Sequence, residues 1–445
     1  MGAYCLGRGV RCSVHETYVR IGPKLKRRVQ LAPGKSEETS IVNLADDGLE
    51  PRHAWWQSLL RGSEVQSVEK GAPLRIVDAF CGSGGLGLGM ALAAQAVNRA
   101  VEFPAIIDTD AAALEIHSYN MGAKRKIAAS AASLVDFHVL GLGDNAQFGY
   151  EPETVHADLD NIGSIDVFIA GPPCQGHSNL NNHTRRQDPR NDLYVTAVAL
   201  GVALKAKAVI IENVPTVQNS HSDVVATAVG LLKSAGYSTS MGVIKADNLG
   251  AAQRRARHFL VASKEAPLNQ DYLMTFSDAL KSSSMPLSWA IGDLINLQSI
   301  ELINSTPVVS SINAERINYL FDHNLYDLPD SQRPDCHKNG TSYTAVYGRM
   351  YWDRPAQTIT TGFGTPGQGR YVHPIERRLI TPREAARIQG FPDWFDFVPS
   401  GLAVKRKHLA KWIGDAVHPT LGYAVGLAAL SAMKIEGQRS IQSAA

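Results

Sequence analysis

The chain contains no uninterrupted apolar run of about 18 residues, the length a helix needs to cross a bilayer, so no membrane span is expected. Its start, Met1-Gly2-Ala3-Tyr4-Cys5-Leu6, has no apolar signal-peptide core. Cysteine is scarce: Cys5, Cys12, Cys81, Cys174 and Cys336 are scattered and odd in number. That argues against a disulfide framework and for a reducing cytosol. Charge is balanced to a formal +2, so nucleic-acid binding must come from local patches. Internal repeats and long low-complexity segments are also missing, which argues against a solenoid. What remains, 445 residues at 44% hydrophobic and 19% charged, is a globular composition, long enough for roughly two or three domains.

Within that composition, strand-like and helical runs alternate. Leu74 to Phe80, Pro104 to Ile107, Val167 to Ala170 and Ala208 to Ile211 read as buried strands. Ala111 to Asn120 and Leu193 to Leu204 read as helices between them. This order predicts an α/β fold with a mostly parallel sheet covered on both faces. Tyr237 to Lys245 and Arg257 to Ser263 are expected to close the sheet as a hairpin. Residues 1–70 carry no clear period and read as an appended, partly flexible segment. Its basic cluster Lys24, Lys26, Arg27, Arg28 reads as a solvated face. From 264 to about 350 the alternation fades into a polar, more irregular region. Order returns at Thr381-Pro382-Arg383-Glu384, which has the residues of a helix N-cap, first turn and capping box.

Three strand ends carry the chemistry. After the first strand, Phe80-Cys81-Gly82-Ser83-Gly84-Gly85 lets backbone approach a ligand and feeds a helix N-terminus. The second strand ends in Asp108-Thr109-Asp110; an acid there suits ribose hydroxyls, and Asp110 suits a helix cap. Asp158, after Val155-His156-Ala157, is a further candidate contact. Gly171-Pro172-Pro173-Cys174-Gln175-Gly176-His177-Ser178 must leave the sheet, because proline donates nothing to a ladder. Cys174 then sits where ligands collect in open α/β sheets, as a candidate nucleophile. No second Cys or His stands at metal-ligand spacing, so no metal is expected, and the zinc deaminase pattern fails. Glu212-Asn213-Val214 puts a carboxylate at the end of an apolar strand, which is costly without a task or partner. On a strand, Gln253, Arg255 and Arg257 share one face, suited to anions or carbonyls.

Together these motifs resemble the DNA (cytosine-5) methyltransferase family, in the family's order, from about Leu74 to about Ala428. The resemblance implies a Rossmann-like, S-adenosylmethionine-dependent methyltransferase domain with a smaller, irregular target-recognition domain. It implies residues 71–265 as catalytic and cofactor-binding domain, 266–395 as target recognition with its organising block, and 396–445 as a return to the catalytic domain. It assigns Phe80, Gly82, Gly84, Gly85, Asp108, Asp158, Leu193 and Asp415 to the cofactor. Cys174, Glu212, Arg255 and Arg257 fall on the catalytic positions. Arg378 to Arg387 with Gln389-Gly390-Phe391-Pro392 resembles the organising block, and Gly414-Asp415-Ala416-Val417 the closing segment. Three positions depart from the family: Asp415 for Asn, His177 for Phe, and Thr109 where an aromatic ring would stack.

The resemblance implies that a cytosine leaves the duplex, that Cys174 attacks C6, that Glu212 protonates N3, and that Arg257, supported by Arg255, holds the O2 side. Double-stranded DNA is the expected partner, through Arg185, Arg186 and Arg190, with Lys405, Arg406 and Lys407 as a second basic cluster. A bacterial cytosolic or nucleoid monomer is expected, and a cognate restriction endonuclease is allowed. A tRNA cytosine-5 methyltransferase, a catalytically silent DNA-binding relative and a NAD-type oxidoreductase are the alternatives. The last leaves Pro173-Cys174 and Glu212-Asn213-Val214 unexplained.

Overall fold

The computed structural model describes residues 14–32, 35–42, 48–173, 192–219, 223–338 and 345–433, without the side chains of Asp192 and Cys336. Its N-terminal part holds β1 (His15–Ile21), β2 (Lys24–Ala32), β3 (Lys35–Val42), α1 (Pro51–Leu60) and β4 (Val65–Gln66). The core follows with β5 (Leu74–Ala79), α2 (Gly85–Ala96), β6 (Val101–Asp108), α3 (Ala111–Met121) and β7 (Lys126–Ala128). Two-residue strands β8 (Val135–Asp136), β9 (Val139–Leu140), β10 (Gln147–Phe148) and β11 (Glu153–Thr154) form small ribbons. Then come β12 (Val167–Ala170), α4 (Asp192–Ala203), β13 (Ala208–Asn213), α5 (Val224–Ser234), β14 (Ser238–Lys245) and β15 (Ala256–Ser263).

A seven-stranded sheet in the order β14-β15-β13-β12-β5-β6-β7 forms the centre. Five strands, β13 to β7, run parallel, and β15 and β14 close the edge antiparallel, as the hairpin reading expected. The apolar runs are continuous because both faces are covered. Val167 and Ile169 join one buried cluster with α2, while Phe168 and Ala170 join the other with α4 and α5. The expected strands are present, with shifted ends. β5 stops at Ala79 because Phe80 turns with φ 52°, and the last strand before the hairpin continues through Glu212 and Asn213.

The reading of residues 1–70 as an aperiodic segment needs correction for the described part. β1 to β4 form a four-stranded antiparallel sheet. In β2, Leu25, Arg27 and Val29 are buried while Lys24 and Arg28 are exposed, a period of two. The basic cluster is not a uniform solvated face. Lys26 and Arg28 pair with Glu38 at 2.7 and 3.2 Å. Arg27 is 1% exposed, lies 4.7 Å from the Trp55 ring centre and donates through Nε to Thr39. Arginine in the place of an apolar residue hides the alternation from a hydropathy reading.

After the sheet come α6 (Tyr272–Ala279), α7 (Leu287–Ile291), α8 (Ser311–Asp322) and α9 (Pro382–Ile388). Between 264 and 405 the described residues pair only through isolated bridges, in keeping with the irregular reading. The chain closes with α10 (Arg406–Asp415) and α11 (Pro419–Ser431), which packs along α2. Close approach there depends on glycine: a Cβ on Gly89 would meet Gly422 Cα and Pro419 O at 2.5 Å.

Candidate active site

The carboxyl ends of β5, β6, β12 and β13 lie on one rim, and the register brings the start of β15 to it, with Asn213 opposite His258. Glu212 ends the apolar run of β13 with its side chain 8% exposed, and its Oε1 lies 2.8 Å from Arg257 Nε. Burial pushes the Glu212 carboxyl above its ordinary range, while the Arg257 and Arg255 charges pull the other way. The result is a carboxyl inclined to hold a proton beside a fixed cation. Gly171 adjoins it: a Cβ there would lie 3.4 Å from Glu212 Oε2. Asn213 donates to the Pro172 carbonyl at 3.3 Å. The Glu-Asn pair thus does two jobs: one side chain faces the rim, and the next fastens the strand that leads to Cys174.

Cys174, His177, Arg185, Arg186 and Arg190 lie outside the described residues. Cys81 is buried, and burial pushes its thiol up, so it is a poor competitor as nucleophile. Arg255 is brought close to the rim but donates to backbone carbonyls of Ile359, Gly414 and Ala416 at 2.9, 3.3 and 2.8 Å. Its contacts hold the segments flanking the rim. Gln253 joins the same stitching: its Nε2 donates to Gln389 Oε1 at 2.7 Å, and Gln389 Nε2 donates to Ala416 O at 2.7 Å. Gln389 follows α9, whose capping box forms as the sequence reads. Glu384 N–H donates to Thr381 Oγ1 at 3.1 Å, and Thr381 N–H to Glu384 Oε2 at 2.8 Å.

The glycine loop and the second strand end meet. Gly82 N–H donates to Asp108 Oδ2 at 2.8 Å, and Asp110 N–H to Asp108 Oδ1 at 2.9 Å. Asp110 caps α3 through Ala113 N–H and accepts from Trp412 Nε1 at 3.1 Å. The loop's glycines divide their work. Gly82 and Gly84 need positive φ, 50° and 97°. A Cβ on Gly82 would meet only open space, whereas one on Gly85 would lie 2.3 Å from Val417 O. The outer face is therefore open to a ligand, and the inner face is pressed on the segment after Asp415. Asp415 itself is exposed, 3.8 Å from Lys411. Leu193 is half-buried at the start of α4, and Asp158 exposes 60% of its side chain. An open strand-end loop at a helix N-terminus, with an acid beside it, fits a cofactor with a polar tail and a ribose.

Two residues under this loop were not singled out from the sequence. Asp78 Oδ2 lies 3.2 Å from His117 Nε2, both groups fully buried. A Cβ on Gly87 would meet Asp78 at 2.7 Å, and one on Gly84 would meet the His117 ring at 2.7 Å. The loop and α2 rest on this pair. The available signal was an acid inside an apolar strand, Ile76-Val77-Asp78-Ala79.

Two other groupings serve the fold. His373, Glu376 and Glu384 have ligand atoms within 4.8 Å of one another. However, Arg378 takes both Glu384 oxygens at 2.8 and 2.7 Å, and His373 Nδ1 accepts the N–H groups of Ile375 and Glu376. That donor set suits a salt-bridge knot better than a cation. The late basic cluster is also divided: Arg406 is spent on Ser305, donating to its O at 2.6 Å and Oγ at 2.9 Å. Among the described residues no helix is long and apolar enough to cross a membrane.

Comparison with known proteins agrees with this geometry. The family described as C-5 cytosine-specific DNA methylase matches residues 74–430. Type II methyltransferase M1.BsuMI of Bacillus subtilis is 37% identical over 424 residues, 93% of this chain and 94% of its own. Type II methylase M.HgiDII of Herpetosiphon aurantiacus is 29% identical, over 79% of this chain and 93% of its own. Among solved structures, the S. pombe Dnmt2 methyltransferase shares the fold, with TM-score 0.52 and 17% identity over 80% of this chain and 97% of its own. By these sequence matches the chain belongs to the C-5 cytosine-specific DNA methylase family.

Proposed function

We propose that the chain transfers a methyl group from S-adenosylmethionine to C5 of a cytosine taken out of duplex DNA. One observation carries this: a buried carboxyl with a raised pKa, Glu212, fixed by Arg257 beside the strand end that leads to Cys174. A pyrimidine ring becomes open to attack at C6 when N3 is protonated and O2 is polarised. Glu212 suits the first task and Arg257 the second. The Cys174 thiolate attacks C6, and the electron pair moves through the ring to C5. S-adenosylmethionine, when bound, supplies an electrophilic methyl on its sulfonium. Gly82, Gly84, Gly85 and Phe80 of the loop, Asp108, Asp158, Leu193 and Asp415 are the residues proposed to hold it. Loss of the C5 proton and of the Cys174 sulfur then restores the aromatic ring. Arg255 acts here as a positioning residue, through the carbonyls that it holds.

The type II relatives support a modification role, in which a cognate endonuclease is the partner to seek. The test is expression in a host without cytosine methylation, followed by bisulfite sequencing of its DNA. Methylated cytosines in one recurrent sequence, absent with Cys174→Ala, are expected. Unmethylated DNA, from folded protein that binds S-adenosylmethionine in calorimetry, would overturn the DNA reading and move the assay to tRNA.

A further inference from the structure

Beside the rim, a line of arginines and aromatic rings interleaves. Arg377 and Arg349 lie 5.4 and 4.1 Å from the Phe321 ring centre. Arg349 also lies 5.2 Å from Tyr326, which stacks on Tyr351 at 4.4 Å and 18°. Arg354 and Arg370 lie 4.4 and 5.1 Å from Tyr351. The line ends at a cleft of about 60 Å³ lined by Arg254, Tyr351, Arg354, Gln357 and Arg370 among others. A water needs roughly 15 Å³ by this measure, so the cleft has the order of size of a phosphate group.

The cleft is charged and only partly neutralised. Arg254 is exposed, between buried Gln253 and Arg255, and forms no ion pair among the described residues. Arg354 exposes 58% of its side chain, with Asp353 no closer than 3.8 Å. Arg370 is 8% exposed, bonded to Asp327, Tyr326 O and Arg349 O, yet its buried Nε–H has no partner. With the Arg370 charge already taken by Asp327, Arg254 and Arg354 are the cations of the lining left to meet an anion. The position also fits. Arg254 stands three residues before Arg257, roughly 10 Å along an extended chain, and the segment 253–254 ahead of β15 bridges to Ala356.

We propose that this cleft seats a backbone phosphate of the DNA strand at the rim, with Arg254 and Arg354 as its charged contacts and the Tyr326–Tyr351–Arg370 stack as a rigid floor. The assignment rests on the DNA-methyltransferase reading. It is a contact of position, not of sequence, because phosphates are the same at every base pair.

The test measures binding of the full chain to fluorescein-labelled duplexes of unrelated sequence across a salt series, by anisotropy. Arg254→Gln and Arg354→Gln are each expected to weaken binding about 3- to 10-fold. Each should lower the slope of log affinity against log salt by about 1, equally for all duplexes. Arg254→Lys should restore most of the slope, and S-adenosylmethionine binding should be unchanged. Unaltered affinity and slope in both glutamine variants would overturn the cleft alone. Loss confined to one sequence would overturn it too, in favour of base reading. Failure of the unsubstituted chain to bind any duplex would overturn the DNA reading and the cleft with it.

Discussion

At the residue scale, two buried groups set the behaviour of the site. Glu212 titrates above its ordinary 4.5 because burial outweighs the nearby arginine charges. It therefore binds more protons in the folded than in the unfolded chain, and its contribution to stability is lost as pH rises from 4.5 through the raised value. Glu212→Gln does not titrate. It is expected to abolish methylation, and its stability relative to the natural chain should improve between pH 4 and pH 8. Urea midpoints at the two pH values measure this, and parallel shifts would refute it. Arg257→Gln removes a charge that lowers the Glu212 value, so the alkaline limb of any residual activity should move to higher pH. Under the glycine loop, His117→Ala leaves Asp78 without its buried partner. About 2 kcal/mol of stability should go with it. Because the loop rests on this pair, affinity for S-adenosylmethionine should fall as well. Calorimetry showing full affinity in the destabilised variant would reduce the pair to a structural role.

Between elements, the decisive contact is α2 against α11. Their glycines allow backbones to meet where side chains would hold them apart. Gly89→Ala places a Cβ 2.5 Å from backbone atoms of α11. Such overpacking costs about 1–3 kcal/mol, read from the denaturant midpoint. The effect should extend to the glycine loop, since α2 begins at Gly85 and Gly85 presses on Val417. The Thr381 capping box was legible because its residues lie three apart in one turn. The contact between Gln389 and Gln253 was not, because it joins residues 136 positions apart.

For the whole molecule, the N-terminal sheet is part of the core. Leu25, Val29, Ile41 and Trp55 belong to the same buried cluster as α2 and α11. Arg27, Tyr18 and Tyr423 surround the buried Glu16 carboxylate: Tyr18 donates to Oε2 at 3.1 Å, Tyr423 donates to Oε1, and Arg27 lies 3.4 Å from the Tyr423 hydroxyl. Deleting residues 1–66 is expected to expose that face and give aggregated or molten protein, seen as lost near-ultraviolet dichroism. Arg27→Ala, which removes the side chain packed on Trp55 and bonded to Thr39 and the Tyr423 hydroxyl, should cost about 3 kcal/mol. A deletion variant that melts as cooperatively as the full chain would refute this integration.

The sequence by itself determined the central strands and helices and the motifs that mark the family, because both are written locally. Apolar runs such as Val167 to Ala170 give strands, Pro172-Pro173 ends one of them, and Glu212 is conspicuous as a charge in an apolar run. Motif order then pointed to the family. Tertiary structure alone decided which polar groups meet. Arg255 and Arg257 stand two residues apart, yet one holds backbone carbonyls and the other a carboxylate. Asp78 of β5 finds His117 of α3, and Arg27 takes an apolar position because Trp55 and Tyr423 flank it. Partners far apart in the chain are chosen by packing, and no local pattern records that choice.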